Sequence, residues 1–476
     1  MPTIPGSKST NIINSCHAQN DAHNATLFRS TLEQITSTLS ALKVDFEGRE
    51  LPVSLLPTIV HEEDLQKIEP PIRAIRRFLN RVIDVFCSEH ASGAHAKPLH
   101  LFFKPYEKWW DIIASEKRRL PNINLMRYDA VLEATGAWSL LETNTACPGG
   151  IIHCSRLRES WLNTPLGKHF RERLNIIEYP TDRSWSFVRF LHKQALKISR
   201  GAPPNIALCI HKGMYMNELE SLQQEHDILV KEGMLDGGSL FIFDICELEC
   251  SSDHSTASYR NVPIHLIYNK FDPLSIDPSN AGITGWLNAS KSTHVDFLNS
   301  LGAFYLTETK RILALLCDPD LRTYVRSTDE ISRYLSHIPY TALLSLWSGQ
   351  GGPNREALRI AARQKDEFVL KADALTRGQG VYLGNALSDA EWRNALAETK
   401  RNNGVMQKKI ATPTKEGICV TPENTFFHTR EYFGIDLFLF GDSFAGPVSR
   451  AHISPIFNIG SGGKESPTIV VRDTLH

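Results

Sequence analysis

An aspartate, a glutamate and an asparagine stand close together in the run Arg127-Tyr128-Asp129 … Leu141-Glu142-Thr143-Asn144. All three offer hard oxygen atoms, the donors that a small divalent cation takes. The residues between them read as two strands. Val131 and Leu132 follow the first carboxylate, Thr135-Gly136 signals a turn, and Trp138, Leu140 and Leu141 lead into the second strand. Side chains alternate faces along a strand, so Glu142 and Asn144 project to one side. Folding the hairpin back brings Asp129 beside them, with Arg127 on the same face. Mg²⁺ keeps one or two protein carboxylates together with phosphate oxygens of a nucleotide, and Asp129, Glu142 and Asn144 suit that set. An exposed acidic hairpin would have the same composition, so the segment alone leaves both readings open.

A second constellation lies far downstream. Phe368-Val369-Leu370-Lys371 reads as a buried strand ending in a lysine, followed by Thr376-Arg377-Gly378-Gln379-Gly380-Val381. Glycines let a backbone approach phosphate closely, and a lysine supplies a point charge to the same oxygens. No G-x-x-x-x-G-K-[ST] occurs, so this is not a Walker loop, and the glycine pair does not match a dinucleotide fingerprint. A helix is predicted near 391–400, then a strand over 404–410 carrying Gln407, Lys408 and Ile410. Apolar residues interleaved with Gln407 could form a slot for a flat base. Taken alone, Gly378 and Gly380 read more readily as an ordinary surface turn.

Taken together, a strand-end lysine, a Gly-rich loop, a Gln-bearing strand and a D … E-x-N set resemble the ATP-grasp superfamily. The metal strands precede the nucleotide lysine here, an order that resembles the circularly permuted ATP-grasp ligases, including glutathionylspermidine synthetase-like and other amide-forming carboxylate–amine ligases. The similarity runs from about residue 99 to the C-terminus, with a loosely matched middle. Thr307-Glu308-Thr309-Lys310 before an apolar helix resembles the family's first nucleotide lysine, and His337-Ile338-Pro339-Tyr340-Thr341 resembles its I-P-x-T turn. Gly446-Pro447-Val448-Ser449-Arg450, with Asn458, resembles the strand bearing a phosphate-facing arginine. Two departures stand out. Asn269-Lys270 replaces paired arginines, which leaves substrate selection in doubt, and Ala372 replaces the usual proline after the lysine, which affects the loop.

The resemblance implies a reaction. ATP would phosphorylate a carboxylate, and an amine would displace phosphate from the acyl phosphate to give an amide and ADP. The protein's work is alignment and charge neutralisation. ATP and Mg²⁺ are the implied cofactors, with the metal at Asp129, Glu142 and Asn144. Lys310 and Lys371 would hold the α- and β-phosphates, and the loop with Arg377, Gly378 and Gly380 would close over the γ-phosphate. Gln407, Lys408 and Ile410 would frame the adenine. Arg127 would face the acyl phosphate, with Arg450 assisting from the opposite sheet. The implied partners are a small-molecule carboxylate and an amine, such as an amino acid, peptide or polyamine. The alternative is a nucleotide-binding regulatory module without turnover.

The elements that must position these residues are expected in an α/β (α+β) chain: a circularly permuted ATP-grasp with an open α/β domain and an N-terminal helical region. Residues 1–25 read as a polar tail, 26–98 as helical, and 99–175 as the metal-binding part, opened by a strand over 99–103. Helices are predicted over 155–174 and 184–198. Strands over 206–210, 240–245 and 264–268, with a helix over 217–231, form the open α/β domain at 176–305. Its strand ends, His211-Lys212-Gly213 and Tyr268-Asn269-Lys270, are where such a sheet presents ligand contacts. Residues 306–476 complete the nucleotide-binding part. Arg156, Arg158, His211, Lys270 and the Gly-rich stretch 345–354 are candidate contacts for an anionic acid.

With 476 residues, 42% of them hydrophobic, the chain can bury several structural units. A formal charge of −1 argues against a broad nucleic-acid or anionic-membrane surface. No apolar run is long enough to span a bilayer and the N-terminus lacks a signal-like apolar stretch, so a cytoplasmic setting is expected. Nine scattered cysteines without a disulfide framework agree with it. Oligomeric state stays open, a homo-oligomer included. Cys246, Cys250, Asp253 and His254 could bind zinc, but no second paired motif completes a tetrahedron. Cys147, with His153 and Cys154 nearby, reads as a pocket-lining or buried thiol more readily than a nucleophile.

Overall fold

The computed structural model describes residues 21–46, 48–93, 97–212, 216–325, 329–345, 354–373, 378–420, 425–456 and 458–473. Arg377, most of the 345–354 stretch and nearly all of the N-terminal tail lie outside them.

An antiparallel sheet runs through the molecule in the order Lys464–Ser466, Ser443–His452, Phe426–Phe440, Leu125–Leu132, Trp138–Asn144, with Thr414–Val420 paired to the far part of Phe426–Phe440. The hairpin at 125–144 therefore docks onto strands from the other end of the chain. Alternation decides its faces. Met126, Tyr128, Ala130, Ile435, Leu437 and Leu439 enter the main core beneath the long helix Glu62–Ala91, whose Ile72 carbonyl accepts the Tyr128 hydroxyl at 2.7 Å. The opposite face is divided. Leu125, Phe438, Phe440 and Val448 pack into a second core, and beyond them Arg127, Asp129, Asp436, Arg450 and Glu465 form a charged floor.

A parallel sheet, Asp296–Phe297, Leu266–Asn269, Asn205–Ile210, Ser239–Asp244, stands beside this floor. Its strands are almost wholly apolar, as a sheet covered on both faces requires. Helices Ser184–Ser199 and Met216–Lys231 lie on it, and this is the predicted open α/β unit. A third sheet, Thr341–Leu343, Val405–Lys408, Phe368–Lys371, Val381–Leu383, is antiparallel. Helices Arg355–Arg363 and Asp389–Arg401 cover it through Ala357, Ala361, Trp392 and Ala395. Ser388 caps the second helix in a capping box with Glu391.

The N-terminal region is helical as expected, with Asp21–Ala41 and Glu62–Ala91. Between them Thr58–His61 pairs in parallel with Thr468–Val471, so the two ends of the chain share one small sheet. Three expectations need correction. The run at 99–103 is a short helix, Pro98–Phe102, not a strand. A run of five residues, four of them apolar, is too short for a period to distinguish the two, and Pro98 at the first helical turn favours the helix. The helix expected over 155–174 is two, Ile151–Leu162 and Pro165–Arg171, because Thr164 caps a new start at Pro165. Arg450 lies in the same sheet as the hairpin, not an opposite one. Sheet order is set by partners remote in sequence, which periodicity does not reveal.

Candidate active site

The hairpin brings its four polar side chains together through register. Arg127 pairs with Asn144 and Asp129 with Glu142, so the four make a square on one face. The ladder shifts between Asp129 and Ala130, leaving Leu141 as the extra residue of a β-bulge. Its carbonyl, freed from the ladder, accepts Lys371 Nζ at 2.9 Å and Gln407 Nε2 at 3.4 Å. The hairpin and the Phe368–Lys371 strand are thus joined at this bulge. Lys310, the residue before helix Arg311–Cys317, reaches the same point, with Nζ 3.4 Å from Glu142 Oε1.

Asp129 is fully engaged. Its Oδ1 accepts Arg127 Nε at 2.9 Å and Asn144 Nδ2 at 2.8 Å, and its Oδ2 accepts Arg450 Nη2 at 2.7 Å. Arg450 also donates to Asp436 Oδ1 at 2.7 Å and to Asn458 Oδ1 at 2.9 Å. Burial opposes ionisation of Asp129, but the two guanidinium groups outweigh it and hold the carboxyl down at about 2. Burial pushes Asp436 the other way, against the pull of Arg450 and with Asp129 adding repulsion. Two further carboxyls are raised to about 7 by burial: Glu308, which accepts the backbone N–H groups of Thr145 and Ala146, and Glu465, which accepts the Cys154 thiol. Burial lowers Lys371 to about 8, with Glu142 supporting its charge and Lys310 opposing it.

These groups surround a cavity of about 470 Å³. Of the residues named from sequence, Arg127, Asp129, Glu142, Asn144, Lys310, Gly378 and Arg450 line it. Lys371 and Gln407 sit behind its wall, buried at the bulge, with Gln407 also donating to Thr341 Oγ1 at 3.1 Å. Gly380 accepts the Ala372 N–H through its carbonyl, at the turn between paired strands. Lys408 is exposed and Ile410 partly so, and neither lines the cavity. At the other end the cavity is walled by Cys147, His153, Glu218 and Lys270. Lys270 pairs with Glu218 at 3.1 Å and extends from the end of a parallel strand, as expected of such sheets. Burial raises the Cys147 thiol to about 12, which favours its protonated form at the cavity wall.

Other candidates are placed elsewhere. Arg156 pairs with Glu225 and Arg158 with Asp182, both structural contacts outside the cavity wall. Asp436, Glu465, Glu308 and Asp373 are cavity residues that sequence reading passed over. Asp436 left one signal, a lone charge within the apolar run Ile435 to Phe440. Glu308 lies two residues before Lys310 in the same motif. Nothing in sequence marks Glu465 or Asp373.

The donor set fits magnesium in a narrower form than three equal ligands. Asp129 has its oxygens filled by nitrogen donors, whereas Glu142 pairs with Lys310 alone among the described residues. Asn144 spends its amide N–H on Asp129, which turns its carbonyl oxygen away from that contact. Glu142 and the Asn144 oxygen are the hard donors available, with Asp129 orienting Asn144.

No family model matches the chain, and no curated protein matches it in sequence. Solved structures do match. A glutathione synthetase-like effector from Globodera pallida, in its apo form, is 14% identical and aligns over 97% of this chain and 99% of its own, with a TM-score of 0.61. The two chains share one fold. It is a mixed α/β fold. A putative gamma-glutamylcysteine synthetase from Methylobacillus flagellatus KT is 13% identical over 81% of this chain and 82% of its own, with a TM-score of 0.37. D-alanyl-alanine synthetase A from Vibrio cholerae O1 biovar eltor is 10% identical over 48% and 67%, with a TM-score of 0.27.

Proposed function

We propose that the chain is an ATP-dependent carboxylate–amine ligase, ADP-forming, of the circularly permuted ATP-grasp type. The observation that carries this reading is the meeting at Leu141: Lys371 from the third sheet bonds its carbonyl while Lys310 pairs with the adjacent Glu142. Two cations and a magnesium-type donor pair from three remote parts of the chain converge beside one cavity. The hairpin precedes Lys371 in sequence yet completes a sheet with strands that follow it, which supports the permuted order.

Each residue then has a task. Glu142 and Asn144 would hold Mg²⁺, which when bound neutralises charge on the triphosphate. Lys310 and Lys371 would add positive charge on the phosphate side, and the backbone after Gly378 would lie over the phosphates. Arg127 and Arg450, kept cationic by Asp129 and Asp436, face the cavity where the acyl phosphate would form. Such transfer needs alignment and fixed charge more than covalent help from the protein. The opposite end, with Lys270 and Glu218, would receive the small-molecule acid or amine, whether amino acid, peptide or polyamine.

The test is nucleotide binding and turnover in Glu142→Ala. MgATP should raise the thermal midpoint of the wild-type chain, since a ligand taken only by the folded state stabilises it. Glu142→Ala should keep the wild-type circular dichroism and lose turnover by on the order of 10²–10³. Turnover near the wild-type value in this variant would defeat the assignment.

A further inference from the structure

At the carboxyl ends of two neighbouring parallel strands, three side chains of metal-ligating type meet outside the cavity wall. His211 follows strand Asn205–Ile210; Asp244 ends strand Ser239–Asp244, and Cys246 stands two residues beyond. One ligand atom from each lies within 4.8 Å of the others. His211 is 6% exposed, and its Nδ1 has no hydrogen-bond partner among the described residues. The Asp244 oxygen facing it is 3.7 Å away, beyond hydrogen-bond reach. A buried ring nitrogen left in this way is unfavourable unless another group satisfies it.

Spacing and donor chemistry suit a cation. Two ligands of a tetrahedral ion at about 2.0–2.2 Å lie about 3.4 Å apart, near the separation found here. Asp244 is held in place: its Oδ2 accepts the Lys212 N–H at 2.8 Å and its Oδ1 the Cys246 N–H at 3.0 Å. Two backbone N–H groups, one of them that of Cys246 itself, therefore fix the carboxylate. Cys246 is exposed, which gives an ion a path from solvent.

We propose that His211 Nδ1, the Asp244 carboxylate and Cys246 Sγ form a binding site for one divalent cation of the zinc class, with a fourth coordination position left open. A nitrogen, an oxygen and a sulfur donor together select borderline cations over Mg²⁺ or Ca²⁺, which take oxygen alone. On binding, the Sγ–H bond breaks, the sulfur lone pair goes to the cation and the proton leaves to solvent. Thiolate, carboxylate and neutral imidazole then cancel the ion's two positive charges. Cys250, Asp253 and His254, the sequence neighbours considered with Cys246, are not in this group among the described residues.

Occupancy would tie two strand ends together next to the strand Leu266–Asn269, which leads into Lys270. The Phe271 ring packs edge-on to His211, with centroids 6.3 Å apart. The ion would thereby fix the wall that presents Lys270 to the cavity. This site does not depend on the ligase reading, since its ligands lie outside that machinery.

The experiment is a Co²⁺ titration of the metal-free full chain in saturating Mg²⁺, which occupies oxygen-only sites, followed by absorption. One Co²⁺ per chain should bind with a thiolate-to-metal charge-transfer band, and Zn²⁺ should displace it. Cys246→Ser should abolish the band and weaken binding by on the order of 100-fold or more. His211→Gln should weaken binding by a similar factor, with circular dichroism reporting its fold. If that buried variant does not fold, Cys246→Ser, at an exposed position, decides alone. Absence of a thiolate band in the wild-type chain, or an equal band in Cys246→Ser, would overturn the proposal.

Discussion

Asp129, Glu308 and Lys371 show how one small region holds charges in opposite states. Asp129 stays ionised because two arginines face it, whereas Glu308 lacks a cation close enough to offset its burial. The consequences for stability differ in sign. Asp129, held at about 2 against an ordinary 3.8, contributes stability that is present above 3.8 and lost as pH falls toward 2. Glu308, raised to about 7 from 4.5, does the reverse: the unfolded chain ionises it first, so stability falls as pH rises from 4.5 to 7. The Glu308→Gln chain should therefore show a shallower decline over that window, by up to about 3 kcal/mol, in denaturant melts at several pH values. Parallel profiles for the two chains would show that Glu308 is already ionised in the folded state. Lys371, lowered to about 8, should lose its charge above that pH, and kcat/KM for ATP should fall with it. Lys371→Arg, which stays protonated, should keep kcat/KM level above pH 8 if the guanidinium is accepted there. An unchanged limb near pH 8 in the arginine variant would remove Lys371 from the phosphate role.

At the level of elements, the bulge at Leu141 and the turn at Gly378 set the site's shape. Gly378 has φ +78°, and a Cβ placed there would lie 2.8 Å from Ser461 Oγ. Gly378→Ala should cost about 1–2 kcal/mol through the left-handed backbone and raise KM for ATP, while kcat at saturating ATP changes less. An unaltered KM would show that the loop does not approach the phosphates. These elements also show what could be read from sequence. Strand alternation sufficed for Arg127, Asp129, Glu142 and Asn144, because all four lie on one hairpin and its turn is explicit. The bulge was not legible, since nothing in Leu140-Leu141 marks which residue leaves the ladder. Gln407 was expected at an adenine slot, yet it lies inside the sheet contact at Thr341 and Leu141. The apolar residues interleaved with Gln407 marked a strand but could not say what lay against its side chain. Asp436 and Glu465 escaped notice because their partners come from strands aligned only by the sheet's order.

Across the whole molecule, remote stretches are joined more than once. The hairpin at 125–144 lies against Phe426–Phe440, and Thr58–His61 lies against Thr468–Val471. The central claim is that this closure builds a ligase site, not merely a binding module. It is tested most directly by incubating the full chain with ATP, Mg²⁺ and a pool of small carboxylic acids and amines, and measuring nucleotide products beside new amides by mass spectrometry. ADP, phosphate and one amide should appear in equal amounts, all lost in Glu142→Ala. AMP with pyrophosphate, or ATP bound without any turnover across the pool, would contradict it.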